Sequence, residues 1–371
     1  MKPIYISPEK ASARFDDESN IMPFWLSNIM YRESACFIRK GGRIRARLLF
    51  SPLRIIAVQS NDLKTTYEEG RDWCWDEKTQ ALLRPEGSRI GFFEPEELTG
   101  ANAKPYQAEP AGLDKDTKCA RIGNALYCEG EILYGRVFQV TYAYDPAQCE
   151  IITHERFRGD LLPKTMKKLR AGEPLRIVVH GDSTHTGADA SSWYKREPFM
   201  PGYPELVKRG LHKVYGSDIT LINNAVGGTQ SGWGVETLEE RVLSQSPDLL
   251  LLGFGNNDCG QHPIDKIMDN LIYMIQTVQN RLPQCEIILL GPSIANPDSG
   301  FIAWSDELAA PQRALEKEGL AYYNVWRNMA SVLAFKDFAA MTGNGIAHPN
   351  DWTTRVYSSN LLAMLVDYEN L

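Results

Sequence analysis

The sequence predicts an α/β protein in which a doubly wound, five-stranded parallel sheet is preceded by an all-β sandwich. Three observations carry this. Short alternating stretches bounded by Gly, Pro, Asp and Asn fill the first 160 or so residues, and apolar runs alternate with amphipathic ones after about residue 170. The change of period falls at "HERFRGDLLPKTMKKLRAGEP", residues 154–174, which reads as a linker and short helix. At 371 residues the chain exceeds what one core usually supports, so two domains are expected. The boundary is placed between a jelly-roll-like sandwich over 1–165 and an α/β domain over 166–371.

In the first half the strand candidates are "ACFIRK", "RIRARLLF", "RIIAVQS", "RIGFFE" and "ALYCEGEILYGRVFQVTYAY". Nothing in them sustains a helical period, which favours packed sheets over a helical fold. In the second half the strand candidates are "LRIVVH", "ITLINNAV", "PDLLLLGF", "CEIILLG" and "AYYNV". Between them lie "YPELVKRGLHKVYG", "VETLEERVLSQ", "PIDKIMDNLIYMIQTVQNRL" and "DELAAPQRALEKEG", which read as crossover helices.

Composition narrows the partners. A net charge of −7 without a long Lys/Arg block offers no footprint for a phosphate backbone, and "KTMKKLR" reads as a solvated face, so nucleic acid is not expected. No stretch approaches the roughly 18 apolar residues of a membrane span, and the N-terminal segment lacks the apolar centre of a signal peptide. A cytoplasmic protein without membrane contact is expected. The seven cysteines are scattered and form no C-x-x-C pair, which predicts reduced thiols rather than a disulfide framework or a zinc knuckle.

Chemistry gathers at the strand ends, where sheets of this kind bind ligands. The first strand candidate ends in "GDST" (181–184), the second in "NNAVGGTQSGWG" (223–234) and the third in "GFGNND" (253–258), and "GNGIAHPND" (343–351) follows the last. Taken singly these are ordinary: Gly-Asp-Ser and Gly-Gly make turns, Asn257 could cap a helix, and a His before Pro is commonly a surface residue. Taken together and in this order they resemble the SGNH, or GDSL-like, hydrolases over roughly residues 175 to 366. The resemblance implies a flavodoxin-like hydrolase domain needing no cofactor and no metal. It makes Ser183 the nucleophile and His348 the base, with the Ser183 N–H, Gly228 N–H and Asn257 amide forming the oxyanion hole. Looser similarity of "NNAVGGTQSGWG", "MPGYPELV" and "HPND" points to the branch with a β-rich N-terminal domain that deacylates carbohydrates. The implied substrate is a small-molecule or oligosaccharide O-acyl ester, with acetyl as the expected acyl group. Trp193, Tyr194, Trp233 and Trp352 lie near the motifs, and one or two of them are expected to line the pocket.

The physical logic holds whatever the name. A serine hydroxyl needs an imidazole to take its proton, and donors aimed at the developing oxyanion contribute roughly 10²–10³ in rate each. One departure stands out: the acid usually found three residues before the catalytic His is here Gly345. The imidazole's other nitrogen still needs an acceptor. Asn344 or a backbone carbonyl is expected to serve, giving a Ser–His dyad, with Asp351 acting as a helix cap. Two rival readings remain. One is a non-catalytic sugar-binding protein with a degenerate site. The other is a metallophosphoesterase using His180, Asp182 and His185, although the third position of "GNND" is Asn257 rather than His.

Overall fold

The computed structural model describes residues 4–11, 16–99, 118–299 and 306–370. Its N-terminal strands are β1 (Ile29–Lys40), β2 (Arg43–Ala46), β3 (Pro52–Ser60), β4 (Cys74–Asp76), β5 (Ala81–Leu83), β6 (Phe92–Phe93), β7 (Lys118–Ile122), β8 (Ala125–Glu129) and β9 (Val137–Tyr144). Strand β1 organises this half. It pairs with β9 over Ile29–Cys36 and with β2 over Ile38–Lys40, so one strand joins two successive ladders in the order β3-β9-β1-β2-β5-β4. All these pairings are antiparallel; only β6 runs parallel to β1. The segment "GEILY", expected within a strand, instead contains a helical turn at Glu131–Tyr134.

The C-terminal half matches the expected architecture. Strands β10 (Leu175–Gly181), β11 (Ile219–Asn223), β12 (Leu249–Gly253), β13 (Glu286–Leu290) and β14 (Leu320–Tyr323) form one parallel sheet in the order β11-β10-β12-β13-β14. This is the 2-1-3-4-5 arrangement of a flavodoxin-like sheet, whose crevice lies beyond the carboxyl ends of its first and third strands. Strands β12 and β13 are buried throughout, as expected for a sheet covered on both faces. The helix Ile264–Arg281 covers one side with Ile267, Leu271, Met274, Ile275 and Val278, a helical period turned inward. Two expected helices are shorter than their patterns. Residues 235–245 break at Thr237, which leaves the helical region, and 306–319 keep only Ala309–Arg313.

The linker is a docked element. Helix Pro163–Arg170 buries Thr165, Met166 and Leu169, and its first N–H groups, those of Lys164 and Thr165, donate to the Glu286 carboxylate at 3.0 and 2.7 Å. A carboxylate at that end also complements the helix dipole. One hydrophobic cluster takes Met30, Phe37, Phe138 and Tyr142 from the N-terminal sheet and Leu206, Val207, Trp352 and Leu361 from the α/β half. Polar ties cross the same boundary. Lys336 and Glu33 form a fully buried ion pair, and Arg355 donates to the carbonyls of Tyr31 and Ser19 at 2.6 and 2.8 Å. Removing one member of such a buried pair typically costs about 3–5 kcal/mol, which fixes the halves against each other.

The cysteine expectation needs correcting at one position. Cys36, Cys74, Cys149, Cys259 and Cys285 are not in disulfides, but Cys128 is disulfide-bonded. It lies in the β7–β8 hairpin, where the backbone register sets residue 128 opposite Cys119. Cross-strand register sets backbone positions nine residues apart opposite one another, which a search for C-x-x-C spacing does not detect. Among the described residues no helix is long and apolar enough to cross a membrane.

Candidate active site

Ser183 owes its position to Asp182. Strand β10 ends at Gly181, and the Asp182 carboxylate then caps a single helical turn, Ser183–His185. It accepts from the Thr184 N–H at 3.0 Å, the Thr184 hydroxyl at 2.8 Å and the Asn256 amide at 2.9 Å. The turn leaves Ser183 beyond the carboxyl end of the strand. Asp258, the acid of "GNND", is likewise committed: it is buried and accepts from the Ser231 N–H and hydroxyl at the start of helix Ser231–Glu236.

His348 is delivered by a loop wound around Asn344, whose Oδ1 accepts from the N–H groups of Ile346, Ala347 and His348 at 2.9, 3.1 and 3.2 Å. Asn350 then caps the last helix through the Thr353 N–H. Across 165 residues of chain, the Ser183 hydroxyl and His348 Nε2 meet at 2.8 Å.

The other imidazole nitrogen overturns the expectation of a neutral acceptor. His348 Nδ1 hydrogen-bonds the carboxylate of Asp189, whose second oxygen accepts from the Tyr194 hydroxyl. Asp189 is six residues past Ser183, in a loop residue of positive φ (65°). Burial raises its carboxyl above the usual range, while the His348 hydrogen bond pulls it back. Asn344 is occupied in shaping the loop. Asp351 is not the cap either: Asn350 is, and Asp351 Oδ1 accepts from the Ser191 N–H at 2.7 Å.

The packing also explains Gly345. Strand β8 crosses this loop, and the Cys128 N–H donates to the Asn344 carbonyl at 3.0 Å. A Cβ on Gly345 would lie 1.9 Å from the Leu126 carbonyl oxygen, and the backbone there has φ +83°. No carboxylate can stand at the usual position because the N-terminal half fills it. Asp189 gave little sign of its role in the sequence. Its only signal is a carboxylate among the small residues of "TGADASS" just after the nucleophile candidate.

Ser183, His348, Gly228 and Asn257 line one open cleft of about 370 Å³. The Asn257 amide donates to the Thr229 carbonyl at 3.0 Å, which fixes its plane and leaves its second N–H. Gly227, Ala295, Ile346 and Ala347 contribute small or aliphatic walls. Ile122, Tyr127 and Glu129 come from the β7–β8 hairpin, a contribution that nothing in the sequence reading anticipated. The hairpin tip is pinned by the Asn124 N–H donating to the Asp298 carbonyl at 2.7 Å.

The expected aromatics lie elsewhere. Trp352 is buried under the Lys336 ammonium, Trp233 packs against His180 and Phe254, and Tyr194 serves Asp189. Trp193 is exposed and outside the cleft. The metal-ligand reading of His180, Asp182 and His185 fails on orientation. His180 Nε2 is held by the Gly234 carbonyl at 3.0 Å, and burial draws its pKa down to about 4. His185 Nδ1 meets the Tyr203 hydroxyl at 2.7 Å. Among the described residues no three His, Cys, Asp or Glu side chains converge as a ligand set.

The five-stranded parallel sheet carries a serine just beyond its first strand, and a histidine is brought to it from the chain's last segment. Residues 179–355 match the model of the GDSL-like Lipase/Acylhydrolase family. An arylesterase of Vibrio mimicus is 29% identical over 106 residues, 28% of this chain and 49% of the relative, so the chain spans about half the length of the curated relative it matches. Among solved structures, a two-domain esterase (CEX) active on acetylated mannans is 23% identical, covering 57% of this chain and 54% of its own, with a TM-score of 0.45. Axe2, an acetylxylan esterase from Geobacillus stearothermophilus, is 19% identical, covering 52% and 94%, with a TM-score of 0.44.

Proposed function

We propose that this protein is a serine esterase that removes O-acyl groups, acetyl foremost, from a carbohydrate through an acyl-enzyme on Ser183. The observation that carries the reading is the 2.8 Å contact between the Ser183 hydroxyl and His348 Nε2 at an open cleft. His348 takes the hydroxyl proton as Ser183 Oγ attacks the ester carbonyl. The tetrahedral oxyanion is received by the Ser183 and Gly228 N–H groups and the Asn257 amide. Collapse breaks the bond to the alcohol, which leaves with the proton from His348. Water, activated by the same imidazole, then releases the acid and regenerates Ser183. Asp189 keeps the imidazole in the tautomer with Nε2 free and stabilises its protonated form. Small residues around Ser183 suit a short acyl group, and the Asn, Tyr and Glu side chains of the cleft suit a hydroxylated alcohol.

The test is hydrolysis of 4-nitrophenyl acetate together with labelling by a fluorophosphonate. The wild type turns over the ester and gains one adduct, located at Ser183 by mass spectrometry. Ser183→Ala loses both, with kcat falling by about 10⁶-fold. An unlabelled, inert wild type would support the sugar-binding alternative.

A further inference from the structure

We propose that Glu129 selects against anionic substrates, so that the site takes esters of neutral or cationic alcohols. The inference rests on the esterase reading and deepens it. Among the described residues lining the cleft, Glu129 is the one carboxylate, and none is Lys or Arg. Glu129 forms no ion pair among the described residues; its partner is the neutral Tyr127 hydroxyl, which donates to Oε1. Burial, followed by the neighbouring carboxylate, pushes the Tyr127 phenol above its ordinary range, so it remains a donor and does not add a second negative charge.

Position makes the charge effective. Glu129 ends β8 two residues after Tyr127, with the disulfide-bonded Cys128 between them. The strand is held to the loop that delivers His348 by the Cys128 N–H and by close packing of Leu126 on Gly345. A carboxylate on a flexible tail would swing out to water, whereas one on a docked strand faces whatever enters the cleft. An arriving phosphate, sulfate or carboxylate meets this charge with no cation lining the described cleft to offset it. A sugar hydroxyl finds in Glu129 Oε2 an acceptor and in Tyr127 a polar neighbour. An ammonium group would be attracted. Two unit charges about 8 Å apart in a medium of effective dielectric about 20 alter binding by roughly 30-fold, less as salt rises.

The experiment compares kcat/KM for 4-acetoxybenzamide, 4-acetoxybenzoate and 4-(aminomethyl)phenyl acetate, which are neutral, anionic and cationic at pH 7. The wild type is expected to prefer the neutral over the anionic ester by about tenfold or more at low salt, with the preference shrinking as ionic strength rises. Glu129→Gln should narrow that ratio by about tenfold, and Glu129→Lys should invert the order of the anionic and cationic esters. Because a ratio is read, a general loss of activity in either variant cancels. The same ratio in all three proteins, insensitive to salt, would overturn the proposal while leaving the esterase reading intact. A wild type inert toward every aryl acetate and unlabelled at Ser183 would remove both.

Discussion

The α/β half delivers Ser183, Gly228, Asn257 and His348 from segments whose order can be read along the chain. The N-terminal half delivers Ile122, Tyr127 and Glu129 from a hairpin that no local pattern ties to the cleft. The first set follows from topology, because parallel strands joined by crossover helices place their carboxyl ends on one edge. The second set follows from docking. Docking also changed the first set: the hairpin's Leu126 carbonyl excludes a side chain at position 345, and the acid on His348 comes instead from the loop after Ser183. An accessory domain here does more than sit beside a catalytic one, since its packing bears on which residue can complete the site.

That comparison can be broken most sharply through the two acids. Asp189→Asn should lower kcat by roughly 10⁴-fold, as loss of a triad acid does, with a native circular dichroism spectrum. Asp351→Asn should stay within about tenfold of wild type, because the Asn carbonyl can still accept from Ser191 and no contact to His348 is lost. Equal effects of the two would mean that proximity in sequence had been the better guide. Next in size, Asn257→Ala should lower kcat by about 10²–10³ with little change in KM, since an oxyanion donor acts mainly in the transition state. A change confined to KM would make Asn257 a substrate-binding group.

Gly345→Asp tests the exclusion itself. Restoring an acid at the usual position should destabilise the protein by about 3 kcal/mol or more in urea titration, through overpacking against Leu126 and the positive φ. An unchanged midpoint would show that the hairpin yields. A smaller effect concerns Asp351, whose carboxyl is pushed up to about 6 by burial. Since the folded value lies above the unfolded one, ionisation opposes folding. The favourable contribution is complete below about pH 4 and fades as pH rises through about 6. Asp351→Asn should therefore flatten the stability profile between these values, by up to about 2–3 kcal/mol. A wild-type profile that stays flat across this window would contradict the assignment.

Much of the α/β half was legible because its signals are local. Buried strands such as Leu249–Gly253 read as apolar runs, helix Ile264–Arg281 keeps a helical period, and Ser183 and His348 stand in recognisable blocks. What escaped depends on long-range packing. Asp189 reaches His348 across 159 residues, and its only hint was a run of small neighbours. The aromatics near the motifs in sequence went to the core (Trp352), its edge (Trp233), Asp189 (Tyr194) or the surface (Trp193), while Tyr127 arrived from the other half. The Cys128 disulfide and the docked hairpin belong to the same category: register across a ladder and complementarity between domains leave no periodic trace.

The central claim is that Asp189, and no group adjacent to His348 in sequence, holds the imidazole for Ser183. It is tested most directly by the Nδ1 proton of His348, observed by ¹⁵N-edited NMR in wild type, Asp189→Asn and Asp351→Asn. A strongly downfield Nδ1 proton in the wild type, kept in Asp351→Asn and lost in Asp189→Asn, is the predicted result. A resonance that survives Asp189→Asn and disappears in Asp351→Asn would contradict the account.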